Sequence, residues 1–296
     1  MLKQQRARFA YYLILPSVIL ITLLNAVPLV EGIIVSLQKQ NMIRPNPTAF
    51  VGLRHYHRAL FEEEIFWSTV GRTIVWTAGS VVGGYIVALA LALLLNREMH
   101  GRGFFRALFL IPWVVPDVAT ALLWKWLYAD EYGVINHLLR TWGLITRPIQ
   151  WLADPSLAMA SVIMVQVWKL TPVMFIVLLA ALQNVPKELH EAAELDGAGP
   201  LQRFRYVTFP VIRPTSVIIT LLASIWTFQA FDIVYLLTGG GPADATEILP
   251  TLIYQKAFWA SDIGYAAAIG MLMLVCLVIL SVAYLFVYRS QGAKEA

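Results

Sequence analysis

Glu191-Ala192-Ala193-Glu194-Leu195-Asp196-Gly197, followed after nine residues by Val207-Thr208-Phe209-Pro210, is a polar stretch between two long apolar runs. Charges and unpaired backbone groups are costly inside a bilayer. The flanking runs therefore read as membrane spans, and the stretch as a loop at one membrane face. Pro186 suits a first helical turn, where its missing N–H would have no partner. Glu188, Glu191 and Glu194 then recur on roughly one face, near the positive end of the helix dipole. Ala192 and Ala193 keep the neighbouring face small enough to enter a cleft on another protein. Gly197 supplies a left-handed stop without a Cβ penalty. A second short helix is expected from Pro200 to Val207, with Pro210 turning the chain back to the membrane.

Composition supports the same reading. Of 296 residues, 59% are hydrophobic and 14% charged, against about 25% charged in soluble proteins. The mean hydropathy is +0.68. Six segments reach the roughly 20 apolar residues that a span needs: 9–36, 70–95, 104–128, 157–182, 214–237 and 263–288. The expected fold is all-α, a polytopic membrane protein with six transmembrane helices. The first run follows Lys3, Arg6 and Arg8, as a signal peptide's would. It is too long for that and lacks a small-x-small cleavage site, so it is expected to stay as a span.

Basic residues orient the helices. Lys3, Arg6, Arg8, Arg97, Arg102, Lys187, Arg203, Arg205, Arg213, Arg289 and Lys294 fall on one side, so both termini are expected inside. The loop 37–69 dissents with Lys39, Arg44, Arg54 and Arg58, offset by Glu62-Glu63-Glu64. Within it, 53–61 reads as an amphipathic helix with Leu53, Tyr56, Leu60 and Phe61 toward lipid. Pro45 and Pro47 hold the segment before it extended. The expected division is 1–69, a first span with its outer loop, and 70–290, a five-helix core containing the loop 183–213.

Other chemistries find little support. The net charge of +4 is dispersed, which argues against nucleic acid. Cys276 is alone, and His55 and His57 lack a nearby third ligand, so no metal site is expected. His100, His137 and His190 fall in loops. No lysine follows a glycine, so the chain has no Walker A motif, and ATP with Mg is expected on a partner. No internal repeat of the kind found in ion-driven secondary transporters is visible, nor a membrane-embedded catalytic set.

The loop's full spacing resembles the cytoplasmic coupling loop of bacterial ABC-importer permeases. Phe50-Val51-Gly52-Leu53 with Tyr56, Ile111-Pro112-Trp113-Val114-Val115-Pro116, and Phe231-Asp232-Ile233-Val234-Tyr235-Leu236-Leu237-Thr238-Gly239-Gly240-Gly241-Pro242 resemble its carbohydrate-uptake branch over about residues 10–290. Phe209 stands where leucine is usual, and the long outer domain of the maltose-type member is missing. The resemblance implies the type I importer permease fold in a bacterial inner membrane. It implies a second homologous permease, two copies of a cytosolic ATPase and an extracytoplasmic solute-binding protein as partners, with surrounding lipid. Glu191, Ala192, Ala193, Asp196, Gly197 and Pro210 would form the ATPase-coupling loop. The cargo would be a sugar, most naturally a disaccharide or oligosaccharide, with glycerol 3-phosphate or another polyol-type solute as the alternative.

Intramembrane charges are functional candidates. Lys169 sits in the fourth segment, Asp117 in the third and Asp232 toward the outer end of the fifth. For Lys169 and Asp117 three roles stand open: a structural pair, a bond to a carbonyl freed by Pro116 or Pro172, or contact with cargo. Trp124-Lys125-Trp126 reads as an interfacial belt. The maltose-type contacts carry over to Gln166, Lys169, Leu170, Val173, Ala223, Trp226, Thr227 and Ala230. Of these, Gln166, Trp226 and Thr227 keep sugar-compatible chemistry, with helix packing as the alternative role.

Overall fold

The computed structural model describes residues 2–41, 43, 49–96 and 101–292, with side chains described between residues 14 and 286. Arg44, Pro45, Pro47, Arg97, His100 and Lys294 lie outside the described residues, as do the side chains of Lys3, Arg6, Arg8 and Arg289. In chain order the elements are α1 (Leu2–Ser36), β1 (Gln38–Lys39), β2 (Ala49–Phe50), α2 (Arg54–His57), α3 (Glu64–Leu95), α4 (Arg102–Leu108), α5 (Ile111–Val114), α6 (Asp117–Leu127) and α7 (Val134–Thr141). Then come α8 (Pro155–Gln183), α9 (Lys187–Leu195), α10 (Pro200–Arg203), α11 (Phe209–Phe228), α12 (Asp232–Thr238), α13 (Leu249–Tyr254) and α14 (Ile263–Gly292). Short π turns follow α2, α10 and α13.

Among the described residues, five helical stretches are long and apolar enough to cross a membrane: Ile14–Ser36, Glu64–Leu95, Pro155–Gln183, Pro200–Phe228 and Ile263–Phe286. A sixth crossing forms if Arg102–Val114 and Asp117–Leu127 count together, although they meet at a bend of 98°. The expected span 104–128 is thus broken. Val115 precedes Pro116 and takes an extended ψ of 127°, because the proline ring disfavours the helical conformation of the residue before it. The expected span 214–237 is also divided. Its helix ends at Phe228, where the Thr227 carbonyl accepts from both Trp76 Nε1 (2.9 Å) and Ala230 N (3.1 Å), and α12 starts afresh at Asp232.

Pro210 does not turn the chain. Helical structure continues from Pro200 to Phe228. The π turn Phe204–Thr208 lets Phe209 N reach the Phe204 carbonyl, and the ladder passes the proline, which has no N–H to contribute.

Contacts group the chain into two units. One comprises Trp67–Thr251 with the residues from Cys276 onward. In it α3 lies close against α8. A Cβ on Gly83 would stand 2.7 Å from Val167 Cγ2, and one on Gly79 2.9 Å from Ile163 Cδ1. Small residues at such crossings let membrane helices approach, since lipid offers no hydrophobic drive toward association. Leu170, Met174, Phe175 and Leu178 of α8 then bury against Ala88 and Ala92 of α3 and Ile219 and Ala223 of α11. Tyr85 Oη donates to Ser216 Oγ at 2.9 Å, joining α3 to α11.

The other unit comprises the residues up to Phe66 with Leu252–Val275. β1 and β2 pair antiparallel, Gln38 opposite Phe50. The expected amphipathic helix forms as α2 and its π turn, but only part of it faces outward as anticipated. Leu53 and Phe61 are exposed, whereas Tyr56 and Leu60 are half-buried, and Tyr56 Oη meets Ser36 Oγ at 2.6 Å. His55 is buried with Nε2 against the Gln38 carbonyl, and His57 meets Glu62. Glu63 is the hub of the unit. It accepts from Arg58 (2.8 Å), Tyr265 Oη (2.9 Å) and Lys256 Nζ (3.2 Å).

Gly83→Leu is expected to destabilise the protein by about 1–3 kcal/mol through overpacking against α8, read as a lower Tm in detergent; an unchanged Tm would mean the helices are free to part. A second expectation concerns pH. Burial pushes the Glu63 carboxyl up, but the bonds from Tyr265, Lys256 and Arg58 and the Lys256 charge together outweigh it, holding the group below its usual 4.5. A carboxyl lowered in the fold contributes stability above its usual value, and that contribution is lost as pH falls through the lowered value. Below pH 4.5 the wild type should therefore lose Tm more steeply than Glu63→Gln. Parallel curves would remove Glu63 from this role.

Candidate functional site

A cavity of about 270 Å³ opens beside α8. Gln166, Lys169, Leu170 and Val173 line one wall, a spacing that puts them on a single helix face. Trp113 and Asp117 come from either side of the Val115–Pro116 break. Trp226 closes it from the last turn of α11, and Ala230, Phe231, Asp232 and Ile233 from the start of α12. Both interruptions that hydropathy reads through therefore turn side chains into the cavity, beside those that α8 and α11 present.

Lys169 holds this arrangement together. Its Nζ donates to the Val115 carbonyl and sits 3.0 Å from Asp117 Oδ1. The break leaves that carbonyl outside the ladder of α6, so the ammonium supplies its donor. Asp117 occupies the first turn of α6, where the helix dipole favours an anion. The Lys169 side chain is 14% exposed and that of Asp117 47%, so solvent screens the carboxylate more than the ammonium. Asp232 has no ion-pair partner among the described residues. With Lys169 engaged by Asp117, the cavity carries an excess of negative charge.

Five of the six cargo-path candidates meet here: Gln166, Lys169, Trp226, Asp117 and Asp232. Thr227 does not. Its side chain is fully buried and its Oγ1 finds no partner among the described residues. Gln166 Oε1 is likewise buried and unpartnered, on an amide that belongs to the cavity wall. Trp113, Phe231 and Ile233 were not singled out individually, although Trp113 and Phe231 sit beside the two helix breaks. Trp124 departs from the interfacial expectation. It is half-buried, with its ring 5.3 Å from Tyr128 and 5.8 Å from Trp168. Trp126 is exposed, and Lys125 Nζ reaches the Leu236 carbonyl at 3.4 Å.

The element Lys187–Thr208 joins the cavity's two long helices. α9 presents Glu188, Glu191 and Ala192 outward, with Ala193 half-buried. It ends in a Schellman turn: Ala198 N donates to the Ala193 carbonyl (2.9 Å), and Gly197 N to the Glu194 carbonyl (3.0 Å). Leu195 is the last helical position, Asp196 is the C-cap, and Gly197 takes φ +80°. Gly199 N then donates to Gln202 Oε1 at 2.9 Å, and Arg203 pairs with Glu194 at 2.7 Å, binding α10 to α9. Pro210 is exposed in the first turn of α11. Leu195, Leu201 and Tyr206 are 90%, 78% and 72% exposed, an apolar set that the polarity of the loop concealed.

A bundle of apolar helices around a small cavity that gathers a few charged and polar groups, with an exposed helical element slung between two of its walls, defines the membrane-spanning component of a transporter. The chain belongs to the binding-protein-dependent transport system inner membrane component family, whose pattern matches residues 80–291. The trehalose/maltose transport system permease protein of Thermococcus litoralis is 36% identical over 97% of this chain and 96% of its own length. The sulfoquinovosyl glycerol transport system permease protein of Agrobacterium fabrum is 33% identical over 95% and 91%. A chain of a bacterial ABC transporter that imports the acidic polysaccharide alginate shares the fold, with a TM-score of 0.81 at 22% identity, covering 97% of this chain and 96% of that one. The protein is a multi-pass inner-membrane permease of the ABC-importer class.

Lys169→Met should lower stability by about 1–3 kcal/mol, the cost of leaving the Val115 carbonyl unpartnered. Asp117→Asn combined with it should add less than the sum of the single changes, read by a double-mutant cycle on Tm. Strict additivity would separate the two residues.

Proposed function

We propose that this chain is the pore-forming subunit of an ATP-driven importer that carries a neutral, hydroxyl-rich, sugar-type solute, with α9, Gly197 and α10 as the seat of a cytosolic ATPase. One observation carries the reading: the exposed element and the cavity share α8 and α11. α9 follows α8 after three residues, and α10 runs into α11 without a helical break. A displacement at Glu191–Gly197 therefore reaches Gln166–Val173 on one side and Trp226 on the other. Glu191, Ala192, Asp196, Gly197 and Pro210, with the half-buried Ala193, form the docking surface, and Leu195, Leu201 and Tyr206 are its apolar anchors. The ATPase, present in two copies, brings ATP and Mg. A second homologous permease completes the pore, and an extracytoplasmic solute-binding protein delivers cargo. Closure of the ATPase dimer opens the cavity outward, and hydrolysis resets it.

Charge and shape support the cargo class. Trp113 and Trp226 are more than half exposed and offer aromatic faces to the C–H side of a sugar ring. Gln166 offers a planar amide. The Lys169 ammonium is already paired, so a phosphate or carboxylate would meet Asp232 with no free cation among the described lining residues. This disfavours glycerol 3-phosphate. A trehalose- or maltose-like solute, named for the Thermococcus litoralis relative, fits the cavity better than the anion named for the alginate transporter.

The test is uptake into proteoliposomes holding this chain with its three partner proteins. ATP should drive uptake of a neutral disaccharide and not of glycerol 3-phosphate. Glu191→Lys should cut uptake by about 5–150-fold, the range of ordinary coupling energies. Preferred uptake of the phosphate ester would overturn the cargo class, and full transport by Glu191→Lys in an assembled complex would overturn the coupling role.

A further inference from the structure

The basic residues of the 37–69 loop are the part of the charge pattern that transport leaves unused. Arg58 is occupied by Glu63 and Asp262. Glu62 is engaged by His57 at 3.0 Å. Lys39 and Arg54 are exposed, their side chains have no hydrogen bond or ion pair among the described residues, and they line one pocket of about 480 Å³ with Arg58 and His55. The pocket lies where α1 ends at Ser36 and α14 begins at Ile263. Ile263 N donates to the Gln40 carbonyl at 3.1 Å, fixing that junction.

Next to its lining residues in the chain come Phe50, Leu53, Phe61 and Trp259, all at least 65% exposed. Each adjoins in sequence a lining residue: Val51, Arg54, Glu62 or Ala260. Free cations in a concavity, with an apolar collar at the ends of two spans, match one ligand geometry: a phosphate at the water boundary above acyl chains. A soluble acidic partner would leave the collar in water. Cations that merely snorkel have no need of a pocket.

We infer that this pocket binds the headgroup phosphate of an anionic phospholipid, with Lys39 and Arg54 as its cationic ligands. Arg58 is spent on Glu63 and Asp262, which keeps those carboxylates from repelling the phosphate. The inference depends on the chain spanning a membrane and not on which solute it carries.

The test uses the assembled transporter, stripped of loosely bound lipid and titrated with dioleoyl phosphatidylglycerol or dioleoyl phosphatidylcholine, with retained lipid counted by native mass spectrometry. Phosphatidylglycerol should be retained in preference to phosphatidylcholine. Lys39→Gln with Arg54→Gln should weaken that retention by about 30-fold, and Arg54→Gln alone by about fivefold, from the usual contribution of each cation near an anionic surface. The charge-preserving pair Lys39→Arg with Arg54→Lys should retain the lipid. Equal retention by the Gln variants, or no preference over phosphatidylcholine, would overturn the assignment. So would unchanged lipid together with weakened capture of the solute-binding protein, which would make the pocket a protein-docking surface. Transport is read separately on the same samples, so a wrong cargo class leaves the lipid count interpretable.

Discussion

An ammonium group among apolar helices persists only where it finds partners that stay in place. Lys169 finds them at the point where a span breaks. Pro116 forces Val115 out of the helix and strands its carbonyl. Asp117, opening the next helix, places a carboxylate beside it. One side chain on α8 thereby satisfies both groups and ties the bent pair α5–α6 to the helix that passes it. The tie holds Asp117 in the cavity wall. Farther along, the Trp124–Trp168 ring contact and the bond from Tyr128 Oη to the Ser161 carbonyl fix α6 and the residue after it against α8 as well.

The same helix leads to the exposed element. Its connection to α9 is short, and α9 is closed by its own backbone bonds and by the ion pair of Glu194 with Arg203. On the far side the π turn carries helical structure past Pro210 into α11. A proline in a helix interior commonly weakens it; the widened turn reconciles rigidity with that residue. The segment is therefore two short helices pinned together, each joined to a cavity wall.

Much of this was legible in the sequence, and the limits follow a physical pattern. Span positions were readable because bilayer thickness demands long apolar runs. The Schellman end at Gly197 was readable because few residues accept that backbone. The breaks at Val115 and after Phe228 were not, since hydropathy averages over a window and registers no change of direction. The prolines at 112 and 116 marked the first break; nothing comparable marked the second, where Trp76 of a distant helix takes the Thr227 carbonyl. Long-range pairing was the least legible. Lys169 and Val115 are 54 positions apart, and Glu63 lies 193 and 202 positions from Lys256 and Tyr265. Glu62-Glu63-Glu64 reads as a diffuse offset to basic neighbours until the fold selects Glu63.

Gly197 carries one more consequence, at the level of inheritance. Its φ of +80° is free for glycine and is reached at some cost by asparagine and aspartate; the chain itself holds Asp244 at φ +59°. A single base change in a glycine codon yields alanine, valine, serine, cysteine, arginine, aspartate, glutamate, tryptophan or a stop, never asparagine. The one tolerant neighbour a nucleotide away is therefore aspartate, reached from two of the four glycine codons, and it sets a second carboxylate beside Asp196. A lineage that alters the position by any other single change passes directly into a strained backbone at the joint of the two short helices.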